Sequence, residues 1–296
     1  MLRAGLLLAA LFGSIAPSHA HGRHSKPWGV EERRTRSEVI LLQGATRLLV
    51  DNLQGSVRVT GGPEGEIRMA VTETIRARDQ EAVERARREV SLDVSRDPSG
   101  IAICVNGLFR LPEDCAEMPE ESRLNWRRHW DDEEEYTVVY DLELLVPGKI
   151  NLKARTVEGN LDVSRVSGQF RIIGVNGSVH MSEIGGWGEA RSVNGSVTVA
   201  FDSNPAEDCI FKTINGDIEV SFKSGLSADM TFKTMNGEVM TDFDYETLPP
   251  APTRVEFSEG RTKFRLDAST GIRIASGGPR VEFESLNGDI LVRKTK

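Results

Sequence analysis

The sequence predicts an all-β protein, a β-solenoid of stacked short strands with one short helix, and three observations carry that expectation. A short phrase, an apolar residue followed by Asn-Gly and then alternating apolar residues, recurs along the chain, as in Val193-Asn194-Gly195-Ser196-Val197-Thr198-Val199 and Ile214-Asn215-Gly216-Asp217-Ile218-Glu219-Val220. Five key glycines, Gly159, Gly168, Gly177, Gly186 and Gly195, follow one another at intervals of nine residues. Glycine is abundant (28 of 296 residues) and aromatics are sparse at 6%, which suits many bends around small buried side chains.

With each key glycine set at position zero, the apolar residues fall at −2, +2 and +4. These are Val157, Leu161 and Val163 around Gly159, and Val166, Phe170 and Ile172 around Gly168. Around Gly177 they are Val175, Val179 and Met181. A strand alternates its faces with period two, so this register predicts burial of all three positions. Fixed-period repetition marks solenoids, and two nine-residue units make an 18-residue circuit with two faces. Stacking would align Asn176, Asn194, Asn215, Asn236 and Asn287 as an amide ladder at a spacing of about 4.8 Å. A series of Asn-Gly hairpins is the open alternative, pairing position −5 with +4, since Ile172, Phe211, Phe232 and Phe283 are apolar too. The even nine-residue spacing favours the stacked arrangement.

Taken in order, residues 1–20 read as a secretory signal peptide. Arg3 precedes an apolar run from Leu6 to Ile15, Pro17 breaks it, and Ser18-His19-Ala20 forms a cleavage site. The run is too short to anchor the chain in a bilayer. Arg3 is the segment's only charge, so the exported chain would carry −9 against −8 for the whole, which disfavours nucleic acid and anionic membrane as partners. Residues 21–37 read as a flexible lead-in, and residues 38–296 as a single domain with an insertion at 106–135.

A strand with Ile67, Met69 and Val71 on one face precedes the one helix, Asp79 to Val90. Ala82, Val83, Ala86 and Val90 form its apolar stripe, Asp79 is the expected N-cap, and Glu81–Arg85 and Glu84–Arg88 are i,i+4 pairs. Short strands follow near Leu92–Val94 and Ile101–Val105. After the insertion, Tyr136 to Val146 alternates as a long strand, and degenerate strands surround Phe257, Phe264 and Ile274.

Here the chain resembles the putative-adhesin family of bacterial envelope proteins, a domain of unknown function. The resemblance rests on the signal peptide, the long strand ending in Val146-Pro147, and serial units such as Thr213-Ile214-Asn215-Gly216-Asp217-Ile218. It implies a β-helical fold, export to the periplasm or cell surface, and no established catalytic residues.

The chemistry-bearing residues are few. Cys104 and Cys115 bracket a short polar loop and are the expected disulfide, worth roughly 3 kcal/mol in the chain-entropy model, with Cys209 left free. Trp126, His129 and Trp130 suit stacking on a sugar or a protein, or pinning the insertion to the body. Cleavage after Ala20 would expose His21 as a terminal copper ligand, with His24, His129 or His180 as a second, although nothing else resembles a copper monooxygenase. Calcium of the toxin-repeat kind requires Gly-Gly-x-Gly-x-Asp, and Gly185-Gly186-Trp187-Gly188-Glu189-Ala190 carries Ala where Asp belongs. Arg171, Arg191, Lys212 and Lys233 are outward candidates for a lyase-type base, with no spacing that singles out a set. The sequence thus predicts a non-catalytic exported module without cofactor, binding an envelope polysaccharide or protein; a polysaccharide lyase on a β-helix is the alternative.

Overall fold

The computed structural model describes residues 28–97, 100–107, 135–249, 254–258, 261–265 and 270–296. These form two large mixed sheets around a main core, a small second apolar cluster under a single helix, and a separate two-stranded sheet. The expected signal peptide, most of the expected insertion with Cys115, Trp126, His129 and Trp130, and His21 and His24 lie outside the described residues.

The repeats build the middle of the molecule. Strands β8 (Asn151–Glu158), β10 (Gln169–Asn176), β12 (Trp187–Arg191) and β14 (Cys209–Asn215) lie side by side in the eleven-stranded sheet. Strands β9 (Leu161–Ser164), β11 (Val179–Ile184), β13 (Val197–Phe201) and β15 (Ile218–Lys223) lie side by side in the ten-stranded sheet. The chain therefore changes sheet at every bend, and neighbours are parallel: Phe170 pairs with Leu152 and Gly188, Val179 with Leu161 and Val197. This rules out the hairpin alternative. The two strands flanking each Asn-Gly never pair with each other.

Glycine is required at these bends because the layers approach too closely for a side chain. Gly177, Gly195, Gly216 and Gly288 have φ between +150° and +158°, and a Cβ on Gly288 would lie 2.0 Å from the Gly216 carbonyl oxygen. Beside the glycines runs the expected amide ladder. Nδ2 of Asn194 donates to Oδ1 of Asn176, Asn215 to Asn194, Asn287 to Asn215 and Asn236 to Asn287, each at 2.8 Å.

The order of that ladder differs from chain order. Strands β22 (Arg280–Asn287) and β23 (Ile290–Thr295) sit between the β14/β15 pair and the pair formed by β16 (Ala228–Asn236) and β17 (Val239–Thr241). The start of the domain repeats the device: β2 (Arg47–Gln54) and β3 (Val57–Gly62) lie between β8/β9 and the later pair β6 (Gly100–Asn106) and β7 (Tyr136–Pro147). Phe283 consequently stacks between Phe211 and Phe232, at ring-centroid distances of 5.5 and 5.0 Å.

A second correction concerns burial at position −2. Val166 and Ile184 point into the core, as expected. At the Asn-Gly bends, however, Val157, Val175 and Val193 are only half-buried and Ile214, Leu286 and Met235 are exposed. The inward residues before those bends are at −5 and −3. Position −3 carries a hydroxyl before most of these bends, with Gly174 the exception before Gly177: Ser192 and Thr213 each donate at 2.8 Å to the glycine carbonyl of the layer below, Gly177 and Gly195. Thr156 and Ser285 do the same to Gly55 and Gly216. A buried carbonyl left by the tight bend is satisfied in this way. The signal was present in the sequence, since Thr156, Ser192, Thr213, Thr234 and Ser285 share that offset.

Antiparallel strands close the first end. Strand β1 (Val30–Leu41) pairs along its whole length with β4 (Glu66–Ala77), which pairs with β7. Residues 30–37, expected in the flexible lead-in, are thus ordered by sheet pairing. The helix α1 (Gln80–Glu89) packs Ala82, Val83 and Ala86 against Ile75, Ala77 and Tyr136. Asp79 caps it, accepting the Ala82 N–H at 2.9 Å. Glu81 pairs with Arg85, whereas Glu84 pairs with Arg87 rather than the expected Arg88. Strand β5 (Ser91–Asp97) then pairs antiparallel with β6.

Candidate functional site

Three surfaces have chemistry to offer. The first is the outer face of the eleven-stranded sheet, where consecutive strands bring Arg171, Arg191, Lys212 and Lys233 onto one wall. Sequence spacing did not group them because their neighbours come from strands 18 to 72 residues apart. Each meets a carboxylate there. Arg171 lies 3.3 Å from Glu189, which also pairs with Arg191. Lys212 reaches Glu282 at 2.6 Å and Glu284 at 3.1 Å, and Lys233 reaches Glu284 at 2.7 Å.

Partial burial opposes the Lys212 charge, but its hydrogen bonds to Glu282 and Glu284 outweigh that cost and raise its pKa. The hydrogen bond from Lys233 holds the Glu284 pKa below the ordinary carboxylate value, against partial desolvation and with further help from Lys212. A carboxylate so depressed stabilises the fold above its unfolded pKa and loses that contribution as pH falls through its folded value. Replacement Glu284→Gln should therefore lower the urea midpoint at pH 7 and lower it by less at an acid pH below the ordinary carboxylate value. An equal deficit at both pH values would mean that packing, not charge, is responsible.

On the same wall Asp51 is fully buried, with Arg155 Nε 3.3 Å from its Oδ1. Cys104, beside Asp51 in the register, is disulfide-bonded. Cys115, its expected partner, is outside the described residues. Cys209 is free and buried, and burial pushes its thiol pKa up to about 11, which makes it a small core residue at neutral pH.

The second surface is a shallow groove of about 310 Å³ at the bends opposite the Asn-Gly corners. Arg165, Ser167, Glu183, Gly185, Asp202 and Ser203 line it with Val166. Arg165 and Glu183 occupy equivalent bends with φ of +56° and +54°.

The third is the Asn-Gly edge. Position −2 forms an outward apolar column running Leu53, Val157, Val175, Val193, Ile214, Leu286 and Met235 in spatial order. It is half-buried at first and then opens, with Ile214 44%, Leu286 41% and Met235 75% exposed. The amide ladder flanks it. On the far side of the glycines, Asp217 accepts the Asp289 N–H and Asp289 the Glu238 N–H, at 2.9 and 2.8 Å. Those aspartates are turn residues facing water, and no group of three or more metal-ligating side chains occurs among the described residues. His180 is exposed on β11. The ridge is an apolar strip beside a polar rail of side-chain amides.

Trp126, His129 and Trp130, the contacts expected from the sequence, are outside the described residues, and the exposed −2 column was not among the expected contacts. Among the described residues no helix is long and apolar enough to cross a membrane. No family model matches this chain, and no curated protein matches it significantly. Solved structures do resemble it. A putative cell adhesion protein from Clostridium sporogenes is 10% identical, with a TM-score of 0.42 over 89% of this chain and 100% of that one. A putative adhesin from Bacteroides fragilis is 6% identical, with a TM-score of 0.38 over 88% and 97%. A putative lipid binding protein from Parabacteroides distasonis is 10% identical, with a TM-score of 0.28 over 88% and 97%.

Proposed function

We propose that this chain is an exported, non-catalytic β-solenoid whose two large sheets are the walls of the stack. It acts as an adhesin-like binding module of the cell envelope through the ridge at its Asn-Gly edge. One observation carries the reading: the apolar column beside the amide ladder opens to solvent over its last three members, Ile214, Leu286 and Met235. Isolated exposed apolar residues are ordinary, but a stacked row on a rigid frame marks an interaction surface. The pairing of Arg171, Arg191, Lys212 and Lys233 with carboxylates supports the same reading, because a lyase base has to be released from such partners to take a proton.

The test is retention on purified envelope polysaccharide and on the protein fraction of the envelope, for wild type and for the double replacement Ile214→Ser with Leu286→Ser. Both side chains are exposed, so the melting temperature should stay within a few degrees of wild type. Retention on one of the two fractions should weaken at least tenfold, about 1.4 kcal/mol. Unchanged retention removes the ridge as the binding surface. Release of unsaturated sugar ends from the polysaccharide would replace binding by catalysis.

A further inference from the structure

The last layer of the stack is unfinished on one side only. Past β16, the eleven-stranded sheet continues through β21 (Thr270–Ile274) and β18 (Glu246–Leu248), both antiparallel. The ten-stranded sheet stops at β17, three residues long. The consequence is visible in one core column. Val57, Leu161, Val179, Val197, Ile218 and Ile290 are each fully buried, whereas Val239, the next member, is 42% exposed. Phe243, Ile272 and Ile274 are buried within the core cluster, so the interior at this end is closed and the exposed step is confined to β17.

Among the described residues no strand pairs with the outer side of β17. The Glu238 carbonyl accepts the Ile290 N–H and the Asp242 N–H donates to the Val292 carbonyl. In a parallel pair the residues between such contacts turn their polar groups the other way, so the N–H and C=O of Val239 and Thr241 face the open edge. An open edge with an apolar step beside it is the geometry of strand addition.

Charge selects the occupant. Glu238, Asp242, Asp244 and Glu246 are exposed around the edge. The described cations near them are already engaged: Lys294 lies over the Phe243 ring, Arg293, next to Val292 on β23, pairs with Glu219, and Arg273 is held by two hydrogen bonds to Asp229. A second copy docked edge to edge would set the same four carboxylates against their duplicates, which is repulsive. A segment with basic flanks would be attracted.

We propose that the edge of β17 accepts one further strand from a partner: an extended polypeptide segment with alternating apolar residues, one of them covering Val239, and lysine or arginine at its ends. The inference rests on the reading of the chain as a binding module and names a protein partner for its last layer.

The probe is a labelled ten-residue peptide of alternating valine and threonine with two lysines at each end, titrated against the whole chain by fluorescence anisotropy. A counterpart with glutamates in place of the lysines is the control. The basic peptide should bind at least tenfold more tightly than the acidic one and weaken as salt rises. Val239→Pro removes an outward N–H without touching the β23 ladder and should weaken binding at least tenfold. If that variant folds poorly, Glu238→Lys with Asp244→Lys provides an independent test, since it should bring the acidic peptide to parity or better. The Ile214→Ser, Leu286→Ser variant should bind the peptide as wild type does, so failure of the ridge and failure of the edge are separable. Equal binding of both peptides, no binding, or undiminished binding to a folded Val239→Pro protein would overturn the proposal. A concentration-dependent dimer that Val239→Pro abolishes would assign the edge to a second copy instead.

Discussion

Replacement of Gly288 by alanine should destabilise the protein by about 4 kcal/mol or more, enough to unfold a domain of ordinary stability. The new Cβ would lie 2.0 Å from the Gly216 carbonyl oxygen and 2.5 Å from its carbonyl carbon. Neither atom can move aside. The Gly216 oxygen accepts from Ser285 Oγ at 3.2 Å, and its N–H donates to the Asn287 carbonyl at 3.0 Å. The backbone adds its own penalty, since φ of +150° is open to glycine and strained for alanine. Gly44 is the matched control: its φ is +88°, but a Cβ there would meet nothing within 4 Å, so Gly44→Ala should cost only about 1–2 kcal/mol. Urea denaturation separates the two. Similar small losses for both would mean that the layers at the Asn-Gly bends stand farther apart than these distances.

The second large effect is expected at Phe283. Its ring is fully buried, stacked on Phe232 with an interplanar angle of 11° and tilted by 32° to Phe211. Phe283→Ala should cost about 3–5 kcal/mol, because rings above and below cannot collapse into the space without breaking sheet register. The size of the loss tests strand order as well as packing. Were β22 the outermost strand, as chain order suggests, Phe283 would have one stacking neighbour and the loss would be nearer 1–2 kcal/mol. An independent check uses the ladder itself. The pair Asn215→Cys and Asn287→Cys occupies directly paired positions and should form a disulfide under mild oxidation. The pair Asn215→Cys and Asn236→Cys should not, since Asn287 lies between them.

Much of the architecture was legible from local chemistry. Asn-Gly phrases at regular spacing located the bends, and the alternation of Val197 with Val199 and of Ile218 with Val220 assigned inward faces that are now fully or almost fully buried. Asp79 was recognisable as a cap because a short carboxylate three residues before Ala82 can accept its amide proton. The proposed binding surface was less legible. Ile214 and Leu286 share position −2 with Val166 and Ile184, and parity counted through the glycine placed all four inside. The chain changes sheets at the Asn-Gly bend, and the turn resets which side of the strand faces the core. Hydroxyls at −3 occupy the interior there, and the apolar residue beside them is left outside.

The sequence by itself determined where the chain turns, which residue must have no side chain there, and which amides can form a ladder. Those properties depend on a few neighbouring atoms and hold wherever the layer is placed in the stack. Only the tertiary structure decided the order of the layers and which end stays open. Copies that share one pattern are interchangeable to their neighbours, so local preference cannot rank them. Connection and packing do: β21 and β18 occupy the far side of β16, Phe283 fits between Phe211 and Phe232, and β17 is left, among the described residues, with an unpaired edge.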